Sequence, residues 1–189
     1  MKKIAVLASG RGTNLQALID ACKSGLIDAQ ICVVMSNNED AKALERAQKE
    51  GIPTEVISNA NTFRMIDALV THGTDLVVLA GYLQKIAPSV IDAFRDQIIN
   101  IHPSLLPKYG GEGMYGRKVH ETVLANGETE TGVTIHHVTE NYDEGEIIEQ
   151  LTIKIHDGDT PELLAARVLQ YERMLLVHTV RRLVDQLDG

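Results

Sequence analysis

Asn100 and His102 are separated by one residue in the run Ile98-Ile99-Asn100-Ile101-His102-Pro103. If that run is a strand, side chains two residues apart leave the same face, so an amide and an imidazole point together beyond the strand end. Pro103 biases His102 away from helix, and Pro107 stops any helix that Ser104-Leu105-Leu106 could start, so the segment is stiff. An amide donor beside a titratable ring suits a reaction that builds negative charge on an oxygen and moves a proton between neighbouring atoms. Two other stretches carry groups of similar use. Ser9-Gly10-Arg11-Gly12-Thr13-Asn14 joins an apolar run to a helical pattern, and such a turn offers free backbone N–H groups at a positive helix end, where a phosphate binds. Two glycines alone also fit a turn that binds nothing. Asp143 lies in the acidic stretch Tyr142-Asp143-Glu144-Gly145-Glu146, which by itself is commonly just a solvated turn.

The elements that position these groups follow from periodicity. Lys3 to Ala8 is a continuous apolar run, as expected of a strand buried on both faces of a parallel sheet. Leu15, Leu18, Ile19 and Cys22 then recur at helical spacing. The alternation continues with strand 30–35, helix 40–50 closed by Gly51, strand 54–57, helix 62–72 closed by Gly73, strand 76–79, a short helix from Pro88 and the strand ending at His102. Alternating strands and helices predict an α/β fold with a doubly wound, mostly parallel sheet and helices on both faces. Ligands of such sheets bind beyond the carboxyl ends of the strands, where Ser9 to Asn14, Ala80-Gly81-Tyr82 and Asn100 to Pro103 all fall. Residues 108–116 hold four glycines without a period and predict a loop. Strands at 132–138 and 147–155 around the acidic turn predict an antiparallel hairpin toward the C-terminus. Thr160 and Pro161 open a last helix running toward Leu187.

On that helix Glu172 falls in the middle of an apolar arc formed by Leu164, Val168, Leu169, Leu175, Leu176 and Thr179. A carboxylate there must be paired or liganded, and a salt bridge satisfies it as well as a ligand does. A dinucleotide site is disfavoured, because Leu15 stands at the third glycine position and Ser36-Asn37-Asn38 offers no ribose-binding acid. No Gly-Lys-Ser/Thr follows the turn, so it suits one small phosphate and not a triphosphate.

With 189 residues, 44% of them apolar and 23% charged, the chain is expected to form one compact domain, residues 1–189. No apolar run approaches the roughly 20 residues of a membrane span. Cys22 and Cys32 have neither metal-type spacing nor a disulfide framework, which favours a reduced, cytoplasmic setting. A net charge of −8 argues against nucleic acid as a partner and for small-molecule substrates. No metal site is expected; His136 and His137 are adjacent, face opposite ways in a strand and make poor joint ligands.

Four stretches taken together, 9–16, 77–82, 100–107 and 143–148, resemble the phosphoribosylglycinamide formyltransferases of purine biosynthesis, over essentially the whole length. The resemblance implies transfer of a formyl group from the co-substrate 10-formyltetrahydrofolate to the amine of glycinamide ribonucleotide. It implies Asn100, His102 and Asp143 as catalytic residues. Asn100 and a protonated His102 would stabilise the tetrahedral oxyanion, while Asp143 would keep His102 cationic and relay the proton from the amine to the departing folate nitrogen. It further implies that Gly12, Thr13 and Asn14 bind the substrate phosphate, that Glu172 holds the ribose hydroxyls, and that Gly81 and Pro103 also contact the substrate. The folate would contact Leu83, Gln84, Ile86, Asn100 and Thr139, with Arg64 near its glutamate tail. Residues 1–100 would then form the phosphate-binding half and 101–189 the catalytic and folate-loop half.

The chain departs from many relatives in the glycine-rich loop 110–116, where they carry a short Pro-Gly segment. Gln84 and Lys85 likewise replace the Arg and aliphatic residue common beside the pterin, so there only backbone contacts carry over. Competing expectations are a formyltetrahydrofolate hydrolase, a methionyl-tRNA formyltransferase and a non-catalytic module for a phosphate ligand. The two enzymes usually carry an additional domain.

Overall fold

The computed structural model describes residues 1–58 and 60–187. Five parallel strands come first in the chain: β1 (Lys2–Leu7), β2 (Ala29–Ser36), β3 (Thr54–Val56), β4 (Leu76–Leu79) and β5 (Ile98–His102). β6 (Glu130–His137) and β7 (Ile147–Lys154) then add antiparallel at one edge, giving the order β3-β2-β1-β4-β5-β6-β7. The connecting helices are α1 (Thr13–Lys23), α2 (Lys42–Lys49), α3 (Thr62–Thr71), α4 (Pro88–Ala93) and α5 (Arg117–Ala125); α6 (Pro161–Gln186) ends the chain. The chain winds outward from β1 to β3, then returns to place β4 on the other side of β1, so the strand order reverses between β1 and β4. A crevice opens at such a reversal, beyond the carboxyl ends of the strands.

Strand alternation divides the core in two. Ile4, Val6 and Ala8 of the first strand and its end pack on one face with residues of α1, α2, α5 and α6, whereas Ala5 and Leu7 face α3 and α4. Every one of these five side chains is essentially inaccessible, which is why the segment reads as an unbroken apolar run. At β5 and β6 the two faces differ in kind. Ile99, Ile101, Val133 and Ile135 enter the first core, while Asn100, His102, Thr134 and His136 occupy the opposite face in register, Asn100 beside His136 and His102 beside Thr134. There the segments after β5 and between β6 and β7 lie against the sheet in place of a helix. Gly132 permits this approach, since a Cβ there would meet the Leu151 carbonyl and the Leu105 side chain.

α6 is capped by the Thr160 hydroxyl, which accepts from Leu163 N, with Pro161 at its first turn. Its buried stripe is Leu164, Val168, Leu175, Leu176, Thr179, Val180 and Val184. Glu172 interrupts that stripe where the helix passes the crevice, with Leu169 one turn before it on the same wall. No helix among the described residues is long and apolar enough to cross a membrane.

Candidate active site

The crevice is a cleft of about 810 Å³ running from the turn after β1, past the ends of β4 and β5, to the segment between β6 and β7. At one end, Gly12 takes a left-handed conformation (φ 67°) as the cap of α1, which has no side-chain hydrogen bond at its start. A Cβ at Gly12 would stand 2.7 Å from the Ala43 Cα, so the position demands glycine both by backbone conformation and by space. The first amides of α1 are left without helical acceptors, as at every helix start, and here they open on the cleft through Gly12, Thr13 and Asn14. Ser9 ties this turn to its neighbours. Its Oγ donates to Asn37 Oδ1 at 2.6 Å and accepts from Leu83 N at 2.9 Å, and its backbone N–H donates to the Gly81 carbonyl at 3.0 Å.

Glu172 lines the same end, with its carboxyl hydrogen-bonded by Asn14. Burial outweighs that bond and the nearby Arg173, and pushes the carboxyl up to about 7. The Asn14 Oδ1 is buried without a partner. Thus a carboxyl and an unsatisfied amide oxygen, both able to accept from hydroxyl donors, line the same end of the cleft as the open amides of α1.

At the other end Asn100, His102 and Asp143 come together from two distant stretches. Asp143 Oδ1 is 3.4 Å from Asn100 Nδ2 and its Oδ2 is 3.6 Å from His102 Nδ1. The Gly111 N–H donates to the same Oδ2 at 2.9 Å, so the glycine-rich loop holds the carboxylate in place. Asp143 itself has φ 57°, a left-handed conformation that aspartate tolerates better than most residues. Gly110 is compressed behind it, since a Cβ there would fall 2.5 Å from Leu106 Cδ2 and 3.1 Å from Asp143 Cβ.

His102 is 4% exposed and its Nε2 lies 2.8 Å from the Tyr109 carbonyl, so that nitrogen carries a proton and Nδ1 faces Asp143. The cationic ring expected from the sequence is opposed by its burial. Burial lowers the affinity of His102 for its proton by more than Asp143 and the Tyr109 carbonyl raise it. Asp143 shows the reverse balance: burial pushes its carboxyl up, but the His136 and His102 rings in their charged forms, together with the Gly111 N–H, outweigh burial and keep it below the usual carboxylate range.

His136 is the site residue that sequence reasoning missed. Its Nδ1 donates to its neighbour's carbonyl, that of His137, at 2.8 Å, which leaves Nε2 as an acceptor 3.0 Å from Asn100 Nδ2. That contact fixes the amide with its N–H groups toward His136 and Asp143. The available signal was strand alternation: once β6 pairs beside β5, the position opposite Asn100 shares its face. The backbone contributions of Tyr109 and Gly111 had no sequence signal, because any residue carries them.

Gly81, Leu83, Gln84, Ile86, Pro103 and Thr139 all line the cleft. Arg64 does not. It stands on α3, ion-paired with Glu55 at 2.9 Å, with more than half of its side chain exposed. Among the described residues the cations lining the cleft are Arg11, Lys85 and Arg117, and the Lys85 ammonium lies 5.8 Å from the centre of the Tyr142 ring.

A doubly wound sheet whose cleft has open helix-start amides at one end, a carboxyl on its wall and a buried amide, imidazole and carboxylate at the other end is the arrangement of an enzyme. Comparison with known proteins gives the family. The formyl transferase model matches residues 2–180, and the chain belongs to the formyl transferase family. It is 39% identical over 193 residues to the chloroplastic phosphoribosylglycinamide formyltransferase of Arabidopsis thaliana, covering 98% of this chain and 66% of that protein. It is 44% identical over 179 residues to the phosphoribosylglycinamide formyltransferase of Haemophilus influenzae, covering 91% of this chain and 82% of that one. Among solved structures, glycinamide ribonucleotide transformylase 1 from Symbiobacterium toebii superposes with a TM-score of 0.91 at 36% identity, covering 98% of this chain and 89% of that chain. The chain therefore spans just under two thirds of the plant relative's length and most of the two bacterial ones.

Proposed function

We propose that this chain, as one formyltransferase domain, transfers the formyl group of 10-formyltetrahydrofolate to the amine of glycinamide ribonucleotide, a step of purine biosynthesis. The observation that carries the reading is the convergence of Asn100, His102 and Asp143 at one end of a cleft whose other end is the Gly12 turn. The ribonucleotide phosphate takes the amides of Gly12, Thr13 and Asn14, and its ribose hydroxyls donate to Glu172 and Asn14 Oδ1. Its amine then reaches Asn100 past Gly81 and Pro103. The folate enters along Leu83, Gln84, Ile86 and Thr139. Lys85, which lines this wall beside Tyr142, meets the negative folate tail as it leaves the cleft, with Arg64 farther out on α3.

The amine nitrogen bonds to the formyl carbon, and the carbonyl oxygen becomes an oxyanion. Asn100 meets it by exchanging its longer contact, 3.4 Å to Asp143, while the 3.0 Å contact to His136 keeps the amide oriented. The proton shed by the amine passes to Asp143. As negative charge grows on the oxygen, His102 gains affinity for a proton and takes it at Nδ1, so the ring becomes cationic during the reaction and not before it. Collapse of the oxyanion breaks the bond from carbon to the folate nitrogen, which leaves with that proton. Water must be excluded, and the loop from Tyr109 to Gly116 is placed to do so through its hydrogen bonds to His102 and Asp143. The two cysteines, both free, are consistent with a reducing compartment, and we infer a cytoplasmic location.

The test is a steady-state assay of purified protein with 10-formyltetrahydrofolate, with and without glycinamide ribonucleotide. Formylated ribonucleotide and tetrahydrofolate in equal amounts are expected. Formate release that does not depend on the amine would replace this reading with a hydrolase, and ligand binding without turnover would replace it with a binding module.

A further inference from the structure

His120 stands on the cleft side of α5, one turn after Arg117, with 4% of its surface exposed. Its neighbour Val119 is wholly buried in the core. Nδ1 of the ring is buried and has no hydrogen-bond partner, whereas the ring as a whole lines the cleft. An unpaired buried N–H is costlier and rarer than an unpaired lone pair. The proton of a neutral ring therefore resides on Nε2, the nitrogen on the other edge of the ring. His120 is also held neutral: burial first, and then the nearby His102 ring, press its affinity for a second proton down to about 4. The cleft wall thus carries an uncharged N–H donor close to His102 and without a partner of its own.

Such a donor matches an uncharged oxygen better than a phosphate or carboxylate, for which a cation would serve. Resting on the reading above, the ligand spans from the Gly12 turn, past Glu172, to Asn100 and His102. The part of it that lies between the ribose and the reacting amine is the glycyl amide, whose carbonyl is an uncharged acceptor two bonds from the nucleophilic nitrogen. We propose that His120 is a further substrate-positioning residue, its Nε2–H donating to the glycyl carbonyl oxygen and so setting the direction from which the amine approaches the formyl carbon.

The experiment compares wild type with His120→Phe and His120→Gln on glycinamide ribonucleotide and on an analogue in which the glycyl carbonyl is a methylene. His120→Phe is expected to raise KM for the ribonucleotide about tenfold to a hundredfold, the worth of one lost hydrogen bond in a closed site. KM for the formylfolate should stay within about twofold. His120→Gln, which retains an N–H donor, should recover part of the loss. Wild type should favour the ribonucleotide over the methylene analogue by a similar factor, and the Phe variant should barely discriminate. The Phe variant should also melt no lower than wild type, because it buries no unpaired nitrogen. Equal discrimination by wild type and the Phe variant, or an equal rise in both KM values, would overturn the assignment even if the enzyme formylates the ribonucleotide. If wild type fails to formylate it at all, the proposed function falls first and His120 with it.

Discussion

The turn at Gly12 and the bend at Asp143 close opposite ends of one cleft, and they present their groups by different means. At the turn the functional groups are backbone amides, fixed by a left-handed glycine and by the packing of Ala43 against it. At the bend they are side chains, buried on a sheet face and oriented by other polar groups: His136 on Asn100, Tyr109 O on His102, Gly111 N–H on Asp143. On the proposed reading, a rigid backbone cradle binds a charge that does not change during the reaction. On the same reading the polar cluster holds groups whose protonation changes in the reaction, and its parts are side chains whose proton affinities burial and neighbouring groups set against each other. The division predicts that the two ends can be damaged separately, one losing affinity and the other turnover.

The strongest test of that separation is Asp143→Asn. The amide keeps the size of the carboxylate but neither accepts the amine's proton nor supports a cationic His102. Turnover should fall by about 10³-fold or more, the combined scale of lost acid–base and electrostatic assistance. Binding of glycinamide ribonucleotide, measured calorimetrically without the folate, should change by less than about threefold. A large loss of affinity would mean that the bend binds as well as reacts, and the comparison would fail. A smaller effect is expected from His136→Leu, which removes the acceptor that orients the Asn100 amide. We expect kcat to drop about tenfold to a hundredfold with both KM values little changed, as for loss of one aligned oxyanion donor. Unaltered kcat would show that Asn100 is oriented without His136.

Gly12→Val probes the other end. The left-handed backbone and the 2.7 Å approach to Ala43 both oppose a side chain, so the turn must shift. The expected results are a KM for the ribonucleotide raised about tenfold, a kcat within about threefold, and a loss of stability of about 1–3 kcal/mol by denaturant titration. A fall in kcat larger than the rise in KM would show that the ends are mechanically coupled.

The two ends also differed in how far the sequence revealed them. Lys3 to Ala8 and the helical spacing from Leu15 to Cys22 placed the phosphate-type turn at a strand end, because periodicity is a local property, and β1 and α1 formed as expected. Asn100 and His102 shared a face for the same reason. The bend was harder. Nothing local relates Asp143 to residues more than forty positions earlier; only the likeness to a known family did so, and the geometry then came from the pairing of β5 with β6. His136 was set aside by a correct observation about alternation, applied to metal ligation and not to the face it shares with Asn100. The cationic state expected of His102 follows from its partner Asp143, and the burial that opposes it is something a sequence does not report for a strand end. Arg64 stands apart from the cleft lining for another reason: its helix lies over the other core, and Glu55 of the preceding strand β3 is near enough to pair with it.

The smallest expected effect concerns Glu172, whose unusual proton affinity belongs to the turn end and can be read without substrate. Burial pushes its carboxyl up from an ordinary value of 4.5 to about 7. Between those two values the folded chain holds a proton that the unfolded chain has released, so this group makes stability fall as pH rises from about 4.5 to about 7 and contributes no further slope on either side. Glu172→Gln keeps the hydrogen-bonding shape and removes the titration. Between pH 5 and pH 7.5 the urea midpoint of wild type should therefore drop by more than that of the variant, by about 1 M for a domain with a urea slope of about 2 kcal/mol/M. The shifts of His102, His120 and Asp143 remain in both proteins and cancel in the difference. Parallel midpoints across that range would mean that Glu172 is already ionised and solvated at the cleft wall, leaving the ribose end without the buried acceptor on which its half of the comparison depends.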